Sequence, residues 1–187
     1  MALALDGGAG TITGLSVGGL PDGVVDADTL ASGTGGKVVQ IVRTDYKTAA
    51  STTTAFTARL TTVPTTSNAG AEFFSATITP ASTDNELLFH VNITGMGNGD
   101  GKQLYCALFK DSDSNSISSS AAWIDSTDPQ NMHLTHSMTV PSTSSQEYKV
   151  YCGCGNGNFY INQRHTEAFH GGVASSGITI IEYTPPS

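Results

Sequence analysis

Histidine, cysteine, aspartate and aromatic side chains are where chemistry could reside in this chain, and their spacing decides its kind. His133 and His136 stand three apart, and His165 and His170 five apart. Imidazoles bind Zn²⁺ or Ni²⁺ well. In a trimer, one inward-facing His165 or His170 per chain would set three of them on the axis. Neither spacing is that of a closed single-chain site, so no metal is expected. The histidines then read as hydrogen-bonded residues at strand ends. Cys152 and Cys154 flank one glycine, which places both thiols on one face of a strand because side chains alternate. Tyr148 and Val150 share that face, so burial is expected, with Cys106 a third core thiol. Asp111-Ser112-Asp113-Ser114-Asn115 begins like a Ca²⁺ loop. It then fails, with Ser116 where a turn glycine is needed and Ala122 where a bidentate glutamate is needed. A solvated turn is the better reading, and Asp125-Ser126-Thr127-Asp128-Pro129 is another.

Catalytic arrangements are missing from the sequence. There is no Gly-x-Ser-x-Gly elbow, no His-Glu-x-x-His and no Gly-Lys-[Ser/Thr] phosphate loop. Glycan cleavage would need two carboxylates in one cleft. Glu147, Glu167 and Asp125 can be nominated, but nothing marks them. No catalytic residue and no cofactor are therefore expected. Trp123, Tyr105, Phe109 and Tyr160 are candidates for stacking against a sugar ring, since aromatics give flat contact area at small entropic cost. For each, the competing role is packing in the core or between subunits.

These side chains would be carried by strands. Only 13% of the 187 residues are charged, and threonine, serine, glycine and asparagine fill the chain, which suits strands and tight turns. The formal net charge is −8, and the basic residues are scattered singly, which argues against nucleic acid and against an anionic membrane surface. No apolar run approaches the length of a membrane helix, and the first residues lack the pattern of a signal peptide, which predicts assembly in a cytoplasm. An odd number of cysteines does not suggest a disulfide framework.

Residues 1–36 differ from the rest. Glycines punctuate single aliphatics: Leu3, Leu5, Ile12, Leu15, Val17, Leu20, Val24 and Val25. Such a segment cannot build a core, yet it is too apolar for a plain linker. The composition predicts an extended arm that gains order on another surface through those residues. Val25–Leu30 reads as a helical turn before a hinge at 33–36. From Lys37 onward the pattern predicts short strands: Lys37–Val42, Phe56–Val63, Phe73–Thr79, Glu86–Thr94, Gln103–Lys110, Ile117–Ile124, Met132–Val140, Glu147–Cys154, Asn158–Arg164 and Gly177–Tyr183. Glu86–Thr94 alternates most clearly, with Leu87, Phe89, Val91 and Ile93 on one face. Gly95–Gly101 reads as a long turn and Gly153–Gly157 as a hairpin connection. The expected fold is all-β: an antiparallel β-sandwich, jelly-roll-like, over 37–187, preceded by the extended N-terminal arm.

The opening LDGGAGTITGLSVGGLPDGVVDADTLASGTGGKVVQIV resembles the N-terminal part of many phage fibre proteins, especially from phages of aquatic bacteria. In those, a glycine-rich attachment segment leads through an Asp-Ala-Asp-Thr-Leu-Ala element, here Asp26 to Ala31, into a Gly-Lys-Val strand, here Gly36 to Val42. ATITPASTDNELLFHVNITG, EYKVYCGCGNGNFYINQRH and GITIIEY are similar to the strands of the β domain that follows. The resemblance spans nearly the whole chain. It implies a non-enzymatic virion protein assembled in the host cytoplasm: a short homotrimeric tail fibre. Residues 1–36 would dock on a tail or baseplate protein, and the β domain would face a host surface glycan. The absence of a repetitive shaft keeps a second role open, a head fibre or decoration protein docked on the major capsid protein.

Overall fold

The computed structural model describes residues 4–6, 11–13, 36–58, 61–98, 102–111, 113–124 and 129–186. The chain divides into two compact units, Met1–Gly36 with Pro186–Ser187, and Lys37–Pro185. In the first unit, β1 (Ala4–Asp6) and β2 (Thr11–Thr13) pair antiparallel, with Leu5 opposite Ile12. Leu3, Leu15, Val17, Leu20, Val24 and Val25, and the turn expected over Val25–Leu30, lie outside the described residues.

The second unit is an all-β antiparallel sandwich. Its strands are β3 (Lys37–Tyr46), β4 (Ala50–Thr52), β5 (Ala71–Ile78), β6 (Glu86–Gly97), β7 (Lys102–Lys110), β8 (Ser118–Ile124) and β9 (Gln130–Thr139). After them come β10 (Gln146–Cys154), β11 (Phe159–Ile161), β12 (Gln163–Arg164), β13 (Glu167–Ala168) and β14 (Ser176–Thr184). One sheet runs β5-β10-β7-β8. In the other, β6 has β9 on one edge and β14 on the opposite edge, with β3 beyond β14. Gly95 pairs with Gln130 on one side and Ile161 on the other, so β11 and then β4 prolong the columns of β14 and β3. The pairing is nested: β3 with β14, β5 with β10, β6 with β9, β7 with β8. One long antiparallel hairpin rolled over itself gives this order, which is the jelly roll.

Alternation builds the core. On β6, Leu87, Phe89, Val91 and Ile93 are buried, while His90 and Asn92 are exposed. They meet Leu104, Cys106 and Leu108 of β7, Tyr148 and Val150 of β10, and Ile178 and Ile180 of β14. Several expected boundaries shift for physical reasons. Phe56–Val63 is not a strand among the described residues. Phe56 makes only an isolated bridge to Ala69, and Phe56 and Ala58 lie on the outer face of β7 against Ala107 and Phe109. Gly95 belongs to a strand and not to the expected turn, because a Cβ there would lie 2.8 Å from the Phe159 ring. Gly153–Gly157 is not a hairpin: β10 and β11 belong to different sheets, and the stretch crosses between them. Asn158–Arg164 breaks at Asn162, whose φ of 56° ends β11.

Two buried polar residues fix the first strand to the last. Asn162 Nδ2 donates to the carbonyls of Tyr46 (2.8 Å) and Thr48 (3.3 Å), and its Oδ1 accepts from Ser176 Oγ (2.9 Å). At the other end the Glu182 carboxylate, 0% exposed, accepts from Gln40 Nε2 (2.6 Å), Asn85 Nδ2 (2.5 Å) and the amides of Ala81 (2.9 Å) and Ser82 (3.4 Å). Burial pushes this carboxyl upward, but the bonds from Asn85, Gln40 and the two amides outweigh it and hold the group below its ordinary 4.5.

A carboxyl whose folded pKa is depressed stabilises the fold fully above its unfolded value, and that contribution fades as pH falls through the folded one. Glu182→Gln should therefore lower unfolding free energy by about 2 kcal/mol near neutral pH, the size of charge-assisted hydrogen bonds. The gap to wild type should narrow as pH drops below 4.5. Urea melts at several pH values measure this; a gap independent of pH contradicts it.

Candidate functional site

The outer face of the β5-β10-β7-β8 sheet carries the aromatic groups of interest. On β7, Leu104, Cys106 and Leu108 point inward, so Gln103, Tyr105, Ala107 and Phe109 point outward. On β8, Ala122 packs on the core and Trp123 points outward. Register places Gln103 directly opposite Trp123 and Tyr105 opposite Ala121. The segment around Phe56 lies over this face. Its Phe56 ring stacks on Tyr105 with centroids 4.8 Å apart, and Phe56 N donates to Cys154 O at 2.9 Å. Phe109 is fully buried beneath it against Tyr151.

That cover stops short of Trp123, which is 64% exposed. Beside it the Tyr105 hydroxyl donates to Gln103 Oε1. This bond uses the amide oxygen and leaves the Nε2 donors without a partner among the described residues. The strip is thus a bare indole on edge strand β8, an oriented primary amide, and a tyrosine held flat by Phe56. A planar apolar surface with a donor at its margin suits the C–H face and hydroxyl rim of a sugar ring. Of the four aromatics nominated from sequence, Trp123 and Tyr105 come together here. Phe109 is core, and Tyr160, 8% exposed, packs edge-on against His165.

The other nominated groups do not assemble. His133 is exposed on the outer face of β9, whereas His136 turns inward against Phe89. His165 and His170 are exposed and both have positive φ, 50° and 52°. No three histidine, cysteine, aspartate or glutamate side chains among the described residues converge to hold a metal ion. Asp111 has φ 46° and is a structural turn residue. Its Oδ1 accepts from the Glu147 amide at 2.6 Å, and its own amide donates to Glu147 O at 2.6 Å. Glu147 accepts from Ser75 Oγ on the four-stranded sheet, while Glu167 is exposed in the separate β12–β13 ribbon. Asp125 lies outside the described residues.

Sequence reading did not single out Gln103, Glu182 or Asn162. Glu182 left a trace in GITIIEY, where a glutamate continues the inward series Ile178, Ile180. Asn162 left none, because its role depends on strands over a hundred positions away.

The three cysteines are buried, and Cys106 and Cys152 are direct cross-strand partners. Burial pushes the Cys106 thiol up to about 12 against an opposing backbone hydrogen bond from Ser120, and pushes Cys152 well above its ordinary value. Thiolate is the reactive form. Iodoacetamide at pH about 8 should leave Cys106 and Cys152 unlabelled in the native protein and label both in urea, where thiols return to their ordinary range. Peptide mass mapping reads the outcome, and native labelling of either would show that the core is open.

No family model matches the chain, and no curated protein matches it. Among solved structures it is similar to the C-terminal domain of EclA, a sugar-binding protein, at 18% identity and TM-score 0.38, over 62% of this chain and 74% of that one. It is similar to dimeric latent PorU from Porphyromonas gingivalis at 8% identity and TM-score 0.37, over 83% of this chain and 14% of that one. It is similar to the enzymatically active domain of tailspike protein 4 of bacteriophage CBA120 at 13% identity and TM-score 0.22, over 81% of this chain and 19% of that one. The structural neighbours thus include a sugar-binding domain and a phage tailspike domain, at scores too low to assign either property to this chain.

Proposed function

We propose that this chain is a non-enzymatic structural subunit of a tailed-phage particle: a short homotrimeric tail fibre. Residues 1–36 dock on a tail or baseplate protein, and the jelly roll presents its Trp123 strip to a glycan on the host surface. The observation that carries the adhesive part is the exposed indole beside the Tyr105-oriented Gln103 amide. The N-terminal resemblance carries the virion part. Fold alone would carry neither, since a jelly roll hosts many functions.

The mechanism is physical association. A pyranose lays its C–H face on Trp123, and Gln103 Nε2 donates to a ring hydroxyl. The site is shallow, so one contact is weak, on the order of millimolar, or about −4 kcal/mol. Three copies on one fibre, and many fibres on one particle, turn weak contacts into firm adhesion without any new interaction.

Trp123 is the only tryptophan, so its emission reports on the strip directly. Host surface polysaccharide should shift or quench it saturably, and Trp123→Ala should weaken binding to host cells at least about tenfold with the thermal melt unchanged. Unaltered cell binding by Trp123→Ala would remove the strip from the adhesive role. Antibody labelling of intact particles addresses the location. Decoration of the tail supports the fibre, and decoration of the capsid would replace it with the head-fibre or decoration role.

A further inference from the structure

The opposite side of the sandwich, the outer face of the sheet containing β3, β14, β6 and β9, shows its contents through the register. One row across it reads Ile41, Ile181, Leu88, Ser137. The row toward the start of β3 reads Val38, Tyr183, Glu86, Thr139. The rows on the other side are polar: Arg43, Thr179, His90, Thr135, and then Asp45, Gly177, Asn92, His133. Ile41 is 60% exposed, Val38 55% and Val39 38%, so three of the six large exposed hydrophobics among the described residues lie within four positions of one strand. Ile181, Leu88 and Tyr183 extend the apolar surface onto two neighbouring strands. Val42, the next residue, packs on the core, so this exposure is a property of the face and not of a loose strand. A contiguous apolar patch flanked by polar rows marks an interaction surface.

We infer that this patch is where copies of the chain meet. Charge selects the occupant. A chain of net charge −8 repels its own copies over most of its surface. This face is close to balanced, with Arg43 and Asp45 as an ion pair at 2.8 Å and Glu86 accepting from the Tyr183 hydroxyl. Arg43 and Glu86 sit one row to either side of the apolar row, two columns apart, with Ile181 midway between them. A second copy therefore brings a carboxylate and a guanidinium of its own to the margins of the same apolar centre. About a three-fold axis the Arg43 margin of one copy meets the Glu86 margin of the next, the head-to-tail contact that a closed ring of identical chains requires. The face lies on the opposite side of the sandwich from Trp123, so association leaves the glycan strip open. This inference builds on the homotrimer within the proposed function and adds where the copies touch.

Analytical ultracentrifugation of the full chain reads the outcome. Wild type should sediment as a small closed oligomer of the 19.3 kDa chain. Ile41→Lys and Ile181→Lys should each weaken association at least about tenfold and release monomer, with the native circular-dichroism spectrum retained. Val173→Lys, at a more exposed valine elsewhere, should leave the mass unchanged. A monomeric wild type, or an oligomer indifferent to both lysine variants, overturns the inference. Polysaccharide quenching of Trp123, measured in wild type and in the released monomer, separates the two ideas: quenching retained in the monomer supports both, and a wild type that assembles but is not quenched counts against the glycan reading alone.

Discussion

The sandwich depends on one long-range closure, the pairing of its first strand with its last. Tyr46 meets Ser176 and Lys37 meets Thr184 across a chain separation of more than a hundred residues. Every other principal pair is nested inside that one. Closing so large a loop is entropically unfavourable until the contacts it encloses exist, and topologies of this kind fold slowly for that reason. The apolar seam supplies most of the driving force but is indifferent to register, because Ile178, Ile180 and Val42 would bury as well in a strand slipped by two residues. Register needs directional contacts. Asn162 supplies them at one end of the β3–β14 pair and Glu182 at the other. No buried side-chain nitrogen or oxygen among the described residues lacks a partner. The two polar locks are fully satisfied, which is the condition for a buried polar group to specify a fold without weakening it.

Closure also decides what the outer faces are available to do. Both sheets bury one side against the other, and β8 approaches β9 while β3 approaches β5, so little of the sandwich edge is open. Function is left to the two outer faces and the connections. The segment around Phe56 covers part of one face, burying Phe109 and stacking on Tyr105. No described residue of this unit lies over the other face in the same way, and it carries its apolar row near the start of β3 with polar rows beyond it. One sheet thus offers an isolated indole, and the other a broad apolar strip. A small ligand and a large partner need those two different things.

How much of this was legible depends on the range of the interaction responsible. The alternation in Glu86–Thr94 stated both a strand and its buried face, and the inward set Tyr148, Val150, Cys152, Cys154 followed from the same rule. Signals that rest on a local rule failed where a distant residue set the need. Gly95 looks like turn punctuation, but its missing side chain makes room for Phe159, 64 positions later. Phe56 looks like the start of a strand because an extended segment lying on a sheet face buries alternate residues just as a strand does. β4, reading Ala-Ser-Thr, carries no apolar signal and exists because it adds to β11. Aromatic candidates could be named from sequence, but Ser-Ser-Ser-Ala-Ala-Trp-Ile has too little contrast to say which way Trp123 points.

The placement of Trp123 is the feature that folding does not account for. Phe56 stacks on Tyr105, Phe73 meets Phe159, Phe74 lies on Tyr46, Phe89 meets Tyr148 and Phe109 meets Tyr151. Tyr183 is hydrogen-bonded to Glu86. Each of these rings lowers the free energy of the fold where it sits. Trp123 is on an edge strand whose other outward residues, Ser119 and Ala121, are small and indifferent to water. A serine or threonine there would keep the strand and improve solubility, since a bare indole on a sheet edge invites aggregation. The residue is tolerable in a chain of this negative charge, and the proposed function gives it a use, as a surface that a ligand outside the fold contacts. The neighbouring amide, held by a tyrosine that is itself held by Phe56, indicates the size of that contact. Three side chains spanning two strands, flat on one side and hydrogen-bonding at the margin, match a single ring with polar substituents better than they match another protein surface.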